Sequence, residues 1–383
     1  MNNSNKTAGL YVHIPFCGSK CHYCDFNSSV QNEDVQSAYI EKLLKEIDYM
    51  SLIYSNADLE YDTIFIGGGT PSVIDPAFIE RILDKLSKSF QLSKQMEITI
   101  ECNPNSISKD KLLAYKKAGV NRISLGVQST NDGILKAIGR THTQKDVFFA
   151  LQSIRDAGIL NYNVDIMLGL PNQTIADVEN TINDVLKFEP THISAYTLML
   201  EKGTPLYKMV SQGVHILPKD DDVVDQYNKT LSLLEQNGLY RYEISNFAKR
   251  GCECKHNIHY WDCDQYLGFG VSAHSYMDGA RFANPEDLKE YLDVQEFRDY
   301  ELALYERLNE TEQKTEYIML HLRQTKGIDF AEYHKIFDED LRKVKRDILK
   351  SLSDRGLIQM DAQKICIAPK HFSISNAIIE ELI

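Results

Sequence analysis

Over the first two-thirds of the chain, short apolar runs rich in β-branched residues alternate with longer stretches whose apolar positions recur at helical spacing. The runs at residues 10–14, 63–66, 97–101, 122–126, 163–167 and 192–196 predict strands. They lack a clean polar alternation, as expected of strands covered on both faces. Helices are predicted at 33–54, 76–90, 108–118, 144–157, 175–188 and 219–236. Their ends carry start and stop residues: Asp75 before Pro76, Ser108 before and Gly119 after the third, Gly158 after the fourth, Pro190 beyond the fifth, and the acids Asp220 to Asp222 opening the last. Six strand–helix units in a row predict a parallel α/β sheet closing most, but not all, of a barrel. Such sheets place their chemistry at the carboxyl ends of the strands. Those positions are Cys17 onward, Gly67 to Thr70, Cys102 to Asn105, Gln128, Leu168 to Pro171 and the stretch after Tyr196.

After Pro285 the pattern changes, and from Tyr291 the chain is charge-dense with helical spacing. Three short helices at 320–327, 330–337 and 341–352, then a strand pair at 357–360 and 365–367, predict a small winged-helix-like domain. It has no basic stripe beyond Lys343, Lys345 and Arg346, so it reads as a docking or lid domain rather than a DNA reader. The expected division is 1–240, 241–290 and 291–383.

Composition narrows the function. The chain has 383 residues, with 55 acids against 42 Lys and Arg, a net charge of −13. That argues against wrapping a nucleic-acid backbone or lying on an anionic membrane. No segment reads as a signal peptide or reaches transmembrane length, so a cytosolic protein is expected. In a reducing compartment, eight cysteines read as ligands or buried thiols rather than a disulfide framework.

Three of them fall within eight residues directly after the first predicted strand, in Cys17-Gly-Ser-Lys-Cys21-His-Tyr-Cys24. Thiolates are the soft ligands that iron–sulfur clusters select. Three thiolates bind three irons of a 4Fe–4S cluster and leave the fourth open for chemistry. The alternatives are a zinc knuckle completed by His22 or Asp25, and a loop with incidental thiols.

C-x3-C-x2-C after a first barrel strand resembles the radical S-adenosylmethionine (SAM) superfamily. The wider phrase Tyr11-Val12-His13-Ile14-Pro15-Phe16-Cys17 resembles the branch that holds oxygen-independent coproporphyrinogen dehydrogenases and the HemW heme chaperones. The resemblance runs from Leu10 to Ile383 and implies a partial six-fold barrel with a C-terminal domain of the HemN type. It implies cluster ligation by Cys17, Cys21 and Cys24, with SAM on the open iron. Tyr11, Gly68, Gly69 and Thr70 of the Gly67-Gly68-Gly69-Thr70-Pro71 loop, and Glu101 at the end of the third strand, would contact SAM. The positions of Gln128, Arg140 and Asp165 line a second SAM site in the dehydrogenases. For Asp165, inside an apolar strand, a structural ion pair with Arg140 is the competing reading.

Two features divide the branch. The dehydrogenases carry a further cysteine two residues after the third ligand, and here that position is Phe26, in Cys24-Asp25-Phe26 as in the chaperones. The stretch His256-Asn257-Ile258-His259-Tyr260-Trp261 matches H-N-x-x-Y-W, associated with heme in the chaperones. Imidazole is a competent heme ligand, so His256 is the expected axial group. His274 and the thiols of Cys252, Cys254 and Cys263 are the alternatives, and a structural role for the whole stretch competes. The resemblance thus implies a cytoplasmic heme chaperone that binds a cluster, SAM and heme. Its expected partners are a reductant such as a flavodoxin or ferredoxin and a heme-accepting protein, with peripheral contact at membrane acceptors and no nucleic acid. Whether it turns over a substrate is left open. The rivals are coproporphyrinogen III oxidative decarboxylation and a plain zinc-binding interaction protein.

Overall fold

The computed structural model describes residues 6–55, 59–297 and 302–383. The first residues of the polar N-terminus and residues 298–301 of the charge-dense stretch lie outside these. Strands β1 (Lys6–Ile14), β2 (Leu59–Gly68), β3 (Leu92–Cys102), β4 (Arg122–Gln128), β5 (Asn161–Leu168) and β6 (His192–Thr197) are parallel neighbours in that order. They contain the six predicted strands and extend them by up to five residues at one end. Helices α1 (Glu33–Tyr54), α2 (Pro76–Ser89), α3 (Lys109–Ala118), α4 (Asp132–Ala137), α5 (Gln144–Asp156), α6 (Ile175–Leu186), α7 (Pro205–Ser211) and α8 (Asp220–Gln236) connect or follow them. The predicted caps do what their chemistry allows. The side chains of Asp75 and Ser108 accept from Ala77 and Lys111 backbone N–H groups, and Gly119 closes α3 with φ 109°.

The sheet continues beyond six strands. At one edge β8 (Asn246–Ala248) adds antiparallel to β6, and β7 (Tyr240–Arg241) adds antiparallel to β8. At the other, β9 (Tyr266–Phe269) adds parallel to β1, followed antiparallel by β10 (His274–Met277), β11 (Ala280–Ala283) and β12 (Leu304–Arg307). Within the central strands alternate residues face two different environments. Leu10, Val12, Ile14, Ile64, Ile66, Ile100, Ile123, Leu125 and Val164 are fully or almost fully buried against the helices. The other set, including Gly9, Tyr11, Thr63, Glu97, Glu101, Arg122, Gln128, Asp165 and His192, forms a polar inner face. Its carboxyl end is the mouth of the barrel, and its amino end is the floor. Between β8 and β9, helix α9 (Lys255–Trp261) carries the H-N-x-x-Y-W residues to the floor.

Helix α10 (Leu288–Asp293) precedes a second core of residues between Tyr317 and Leu382. There the expectations need correcting. The stretch from Tyr291 is not continuously helical, because β12 joins the large sheet beside β11. The first helix is α11 (Glu310–His321), not 320–327: a capping box of Asn309 and Glu312 fixes its start. Residues after it turn back to the barrel, where Gln324 Nε2 donates to Asp262 (2.6 Å) and Thr325 N to the Tyr242 carbonyl (2.9 Å). Helix α12 (Phe330–Phe337) stands as predicted. The span 341–352 is two helices, α13 (Leu341–Val344) and α14 (Arg346–Asp354), because Lys345 leaves helical backbone at φ −109°, ψ 18°. The wing has three strands, β13 (Ile328–Asp329), β14 (Ile358–Met360) and β15 (Lys364–Ile367), and α15 (Ser375–Leu382) ends the chain.

Candidate functional site

The cysteine loop leaves β1 at the mouth and is pinned on three sides. Cys17 N donates to Ser29 O (3.0 Å), His22 N to Ile138 O (2.9 Å), and Leu206 N, at the start of α7, to His22 O (2.8 Å). His13 Nε2 holds the Asn27 carbonyl (2.9 Å), and Lys20 Nζ donates to Phe26 O (3.1 Å). Gly139, at φ 75°, lets the loop pass, since a Cβ there would sit 2.6 Å from the His22 ring. All three cysteines are free and partly exposed. Burial and the neighbouring Cys21 and Cys17 push the Cys24 thiol up. Among the described residues no three His, Cys, Asp or Glu side chains are grouped as one metal ion would need. A cluster is wider, because each thiolate binds its own iron.

A chain of side chains connects two of these sulfurs across three strand ends. Thr70 Oγ1 approaches Cys17 Sγ (3.6 Å) and accepts from Asn103 Nδ2 (3.0 Å). Asn103 Oδ1 accepts from Arg140 Nη1 (2.9 Å), which also points at Cys21 Sγ (3.7 Å). The second Arg140 nitrogen donates to Gly126 O (2.7 Å), and its buried Nε has no partner. Asn103 is a site residue to which the sequence pattern assigns no role. Its position directly after a strand was the available sign.

The glycine loop is a cradle. Gly69 N donates to Ile14 O (2.9 Å) and Thr70 N to Phe16 O (2.7 Å), clamping it to the strand that delivers Cys17. A Cβ on Gly68 or Gly69 would lie 2.6 Å from the His13 ring or the Phe16 carbonyl. Glu101 Oε2 accepts from Gly68 N (3.1 Å). Burial, reinforced by the charge of Asp165, lifts the Glu101 carboxyl to about 7. Tyr11, two residues from His13, shares a hydrogen bond with His13 Nδ1 (3.1 Å).

Gln128 and Asp165 lie deeper. Gln128 holds a left-handed backbone (φ 67°) beside a bulge in β4, and its Oε1 accepts from the Tyr196 hydroxyl (2.9 Å). A non-glycine residue in that region stores strain, as functional sites do. Burial raises the Asp165 carboxyl, which accepts from Asn163 Nδ2 (2.6 Å). Arg140 spends its bonds on Asn103 and Gly126, so the ion pair weighed for Asp165 is absent from the described ion pairs and hydrogen bonds.

Several features fit a cluster and SAM: three soft donors on one pinned loop, a glycine cradle that any side chain would fill, and a buried guanidinium nitrogen left open. Tyr11, Gly68, Gly69, Thr70, Glu101, Gln128, Arg140 and Asp165 all line the same inner face or its rim.

His256 is elsewhere. On α9 at the floor, it is 1% exposed, with Nδ1 bonded to Thr63 Oγ1 (2.8 Å) and Nε2 to the Tyr260 hydroxyl (2.8 Å). Its ring stacks on Phe65, centroids 5.2 Å apart, and a Cβ on Gly9 would lie 3.0 Å from it. Burial holds this imidazole well below its ordinary value. Both ring nitrogens are engaged within the fold, so heme ligation by His256 would require Thr63 or Tyr260 to give up its bond. Cys254 is likewise buried and donates to Glu97 Oε1 (3.6 Å), which also accepts from His256 N (3.3 Å). His259 bridges Asp62 (2.7 Å) and Asp264 (3.0 Å). The H-N-x-x-Y-W helix is therefore a plug for the barrel floor. His274 is exposed on β10.

Comparison with known proteins places this arrangement. The radical SAM superfamily model matches residues 11–185, and the HemN C-terminal domain model matches residues 308–370. The heme chaperone HemW of Bacillus subtilis is 35% identical over 369 residues, 96% of this chain and 97% of that one. The heme chaperone HemW of Lactococcus lactis is 34% identical, covering 99% and 98%. Among solved structures, coproporphyrinogen III oxidase (HemN) from Escherichia coli superposes with a TM-score of 0.85 at 24% identity, over 100% of this chain and 91% of that one, so the two share a fold. With sequence likeness across nearly the full length of both chaperones, the chain belongs to the HemW family of the radical SAM superfamily.

Proposed function

We propose that this protein is a heme chaperone that carries a 4Fe–4S cluster on Cys17, Cys21 and Cys24, binds SAM beside it, and delivers heme to an acceptor protein. What carries the reading is the likeness to relatives named heme chaperones over 96% and 99% of the chain. Phe26 supports it: the ring, 66% exposed, stands where the dehydrogenases have a cysteine.

When bound, the cluster supplies an electron to the sulfonium of SAM. The protein's part is to hold and shield. Gly68, Gly69 and Thr70 would hold the methionine end of SAM against backbone, and Glu101, in its carboxylate form, would accept from the ammonium. Tyr11 closes the inner wall. Arg140, anchored by Asn103 and Gly126, offers its open Nε to an anionic or carbonyl oxygen, and Gln128 and Asp165 line the space beneath, where the dehydrogenases hold a second SAM.

The chain divides in this reading into a barrel (1–240), a floor-closing segment (241–290) and a C-terminal module (291–383), although β12 keeps the last attached to the large sheet. No helix among the described residues is long and apolar enough to cross a membrane. A cytoplasmic location, a flavodoxin or ferredoxin as reductant, and a heme acceptor met at a membrane surface complete the proposal; nucleic acid has no part in it.

The test uses anaerobically reconstituted protein. It should bind heme and release it to an apo-acceptor, and should form no protoporphyrinogen IX from coproporphyrinogen III with SAM and reductant. Turnover of coproporphyrinogen would overturn the chaperone reading.

A further inference from the structure

Of the imidazoles that could ligate iron, most are spent inside the fold. His13, His192, His256 and His259 have both ring nitrogens bonded, and His142 and His321 are buried with one nitrogen on a backbone carbonyl. His215, His274, His334 and His371 are exposed or partly exposed, with no ring partner among the described hydrogen bonds and ion pairs; of these, His215 is the one on a connection at the mouth of the barrel. It sits in the connection between β6 and α8, a span of 22 residues containing only the short helix α7. Connections of that length at the mouth of an α/β barrel carry function more often than structure.

The surroundings are apolar and open. Val214 and Ile216 flank His215 with 63% and 72% of their surface exposed, and Met199, directly beyond β6, is 74% exposed. Three large apolar side chains left in water on one connection mark a surface that something covers. The segment is fixed rather than dangling: Asn172 N donates to Ile216 O (3.0 Å), Val214 N to Met209 O (2.9 Å), and α7 is tied to the cysteine loop through Leu206. Charge points to the occupant. Residues 198–219 hold Lys202, Lys208 and Lys219 against the single acid Glu201, before Asp220 to Asp222 open α8, and none of the three lysines is in a described ion pair. An imidazole, bare apolar side chains and unpaired cations together suit a flat apolar macrocycle bearing carboxylates and a metal.

We propose that heme is held at the barrel mouth on this connection, with His215 as an axial ligand, Met199, Val214 and Ile216 against the macrocycle, and the lysines facing its propionates. The site rests on the heme-chaperone reading. It replaces His256 as ligand and places the cargo beside the cluster loop, through the α7 contact, rather than at the floor.

The experiment titrates ferric heme into the full-length wild type and into His215→Ala, His256→Ala and His274→Ala, following the Soret band. His215→Ala should weaken binding by about tenfold or more and shift the Soret band, and added free imidazole should restore the wild-type spectrum. Such rescue distinguishes a lost ligand from a lost fold. His274→Ala should match the wild type, as should His256→Ala at a temperature where circular dichroism shows it folded. If the wild type binds heme and His215→Ala leaves affinity and spectrum unchanged, this site is wrong while the chaperone reading stands. If the wild type binds no heme, both fall.

Discussion

The two ends of the barrel use the same residue types in opposite ways. At the floor, histidine, cysteine, tyrosine and carboxylate satisfy one another: His256 with Thr63 and Tyr260, His192 with Asn163 and Tyr242, Cys254 with Glu97. Arg122 Nε, Thr99 Oγ1 and Trp261 Nε1 are exceptions, enclosed without a partner, and Arg122 is balanced at longer range by Glu97 and Asp165. At the mouth, thiols, an open guanidinium nitrogen, a free imidazole and exposed apolar side chains are left to meet something else. Buried polar groups are mostly paired, and at the floor the imidazoles and the Cys254 thiol are, whereas the mouth keeps partly exposed thiols and is where ligands belong. Residue type alone does not separate a ligand from a fastener; partners and burial do.

The sharpest break of that comparison is at the cysteines. Replacing Cys17, Cys21 and Cys24 together with alanine should remove the bound iron and sulfide entirely, while melting temperature of the apoprotein shifts little, because these partly exposed side chains pack against no core. Iron and sulfide analysis beside calorimetry checks both halves. Full iron content in the triple variant would refute the ligand assignment.

His256→Ala should behave oppositely. It removes two buried hydrogen bonds and a ring stacked on Phe65, and it opens a cavity, for an expected loss of about 2–4 kcal/mol in unfolding free energy. Iron content and heme spectrum should be retained by the folded fraction. Denaturant unfolding gives the first, and a spectrum unlike the wild type's would return His256 to the ligand set.

How far the sequence showed this contrast follows from range. The six strand–helix units were legible because strand and helix periodicities and caps such as Asp75, Ser108 and Gly119 are local. The cysteine loop, the glycine cradle and Glu101 were legible because each is a compact motif directly after a strand. What was hidden depends on distant pairings. Nothing near His256 announces Thr63, 193 residues away, and nothing near Asn103 announces that it links Thr70 to Arg140. The strands β9 to β12 were missed because four-residue runs such as Tyr266–Phe269 become strands only when a sheet edge awaits them.

The floor also has a pH dependence that rests on one imidazole. Burial alone would pull the His259 imidazole down, but the hydrogen bonds it donates to Asp264 and Asp62, and their charges, outweigh it and lift the group to about 9. A folded value above the unfolded one contributes stability that is full below about pH 6.5 and lost as pH rises through about 9. Wild-type stability should therefore fall by about 1–2 kcal/mol between those limits, and His259→Gln should flatten that slope. Buried Glu46, Glu101 and Glu243, each lifted by burial to about 7, act between the ordinary glutamate value and 7, so their effect lies largely below this window. Urea unfolding at a series of pH values tests it. An unchanged slope in His259→Gln would remove the two-carboxylate bridge as its cause.

The smallest effect is expected at Phe26. Its ring is 66% exposed, and its backbone carbonyl, not the ring, anchors Lys20 on the cluster loop. Substitution should thus leave the anchor in place and change stability by no more than about 0.5 kcal/mol. Phe26→Cys restores the thiol that the dehydrogenases carry at this position. The side chain projects outward, so the new thiol should add no iron per chain and no conversion of coproporphyrinogen III. The measurement is iron stoichiometry and product analysis on reconstituted Phe26→Cys beside the wild type. Porphyrin turnover gained by that one substitution would mean that residue 26, rather than the wider architecture of the mouth, separates the two activities.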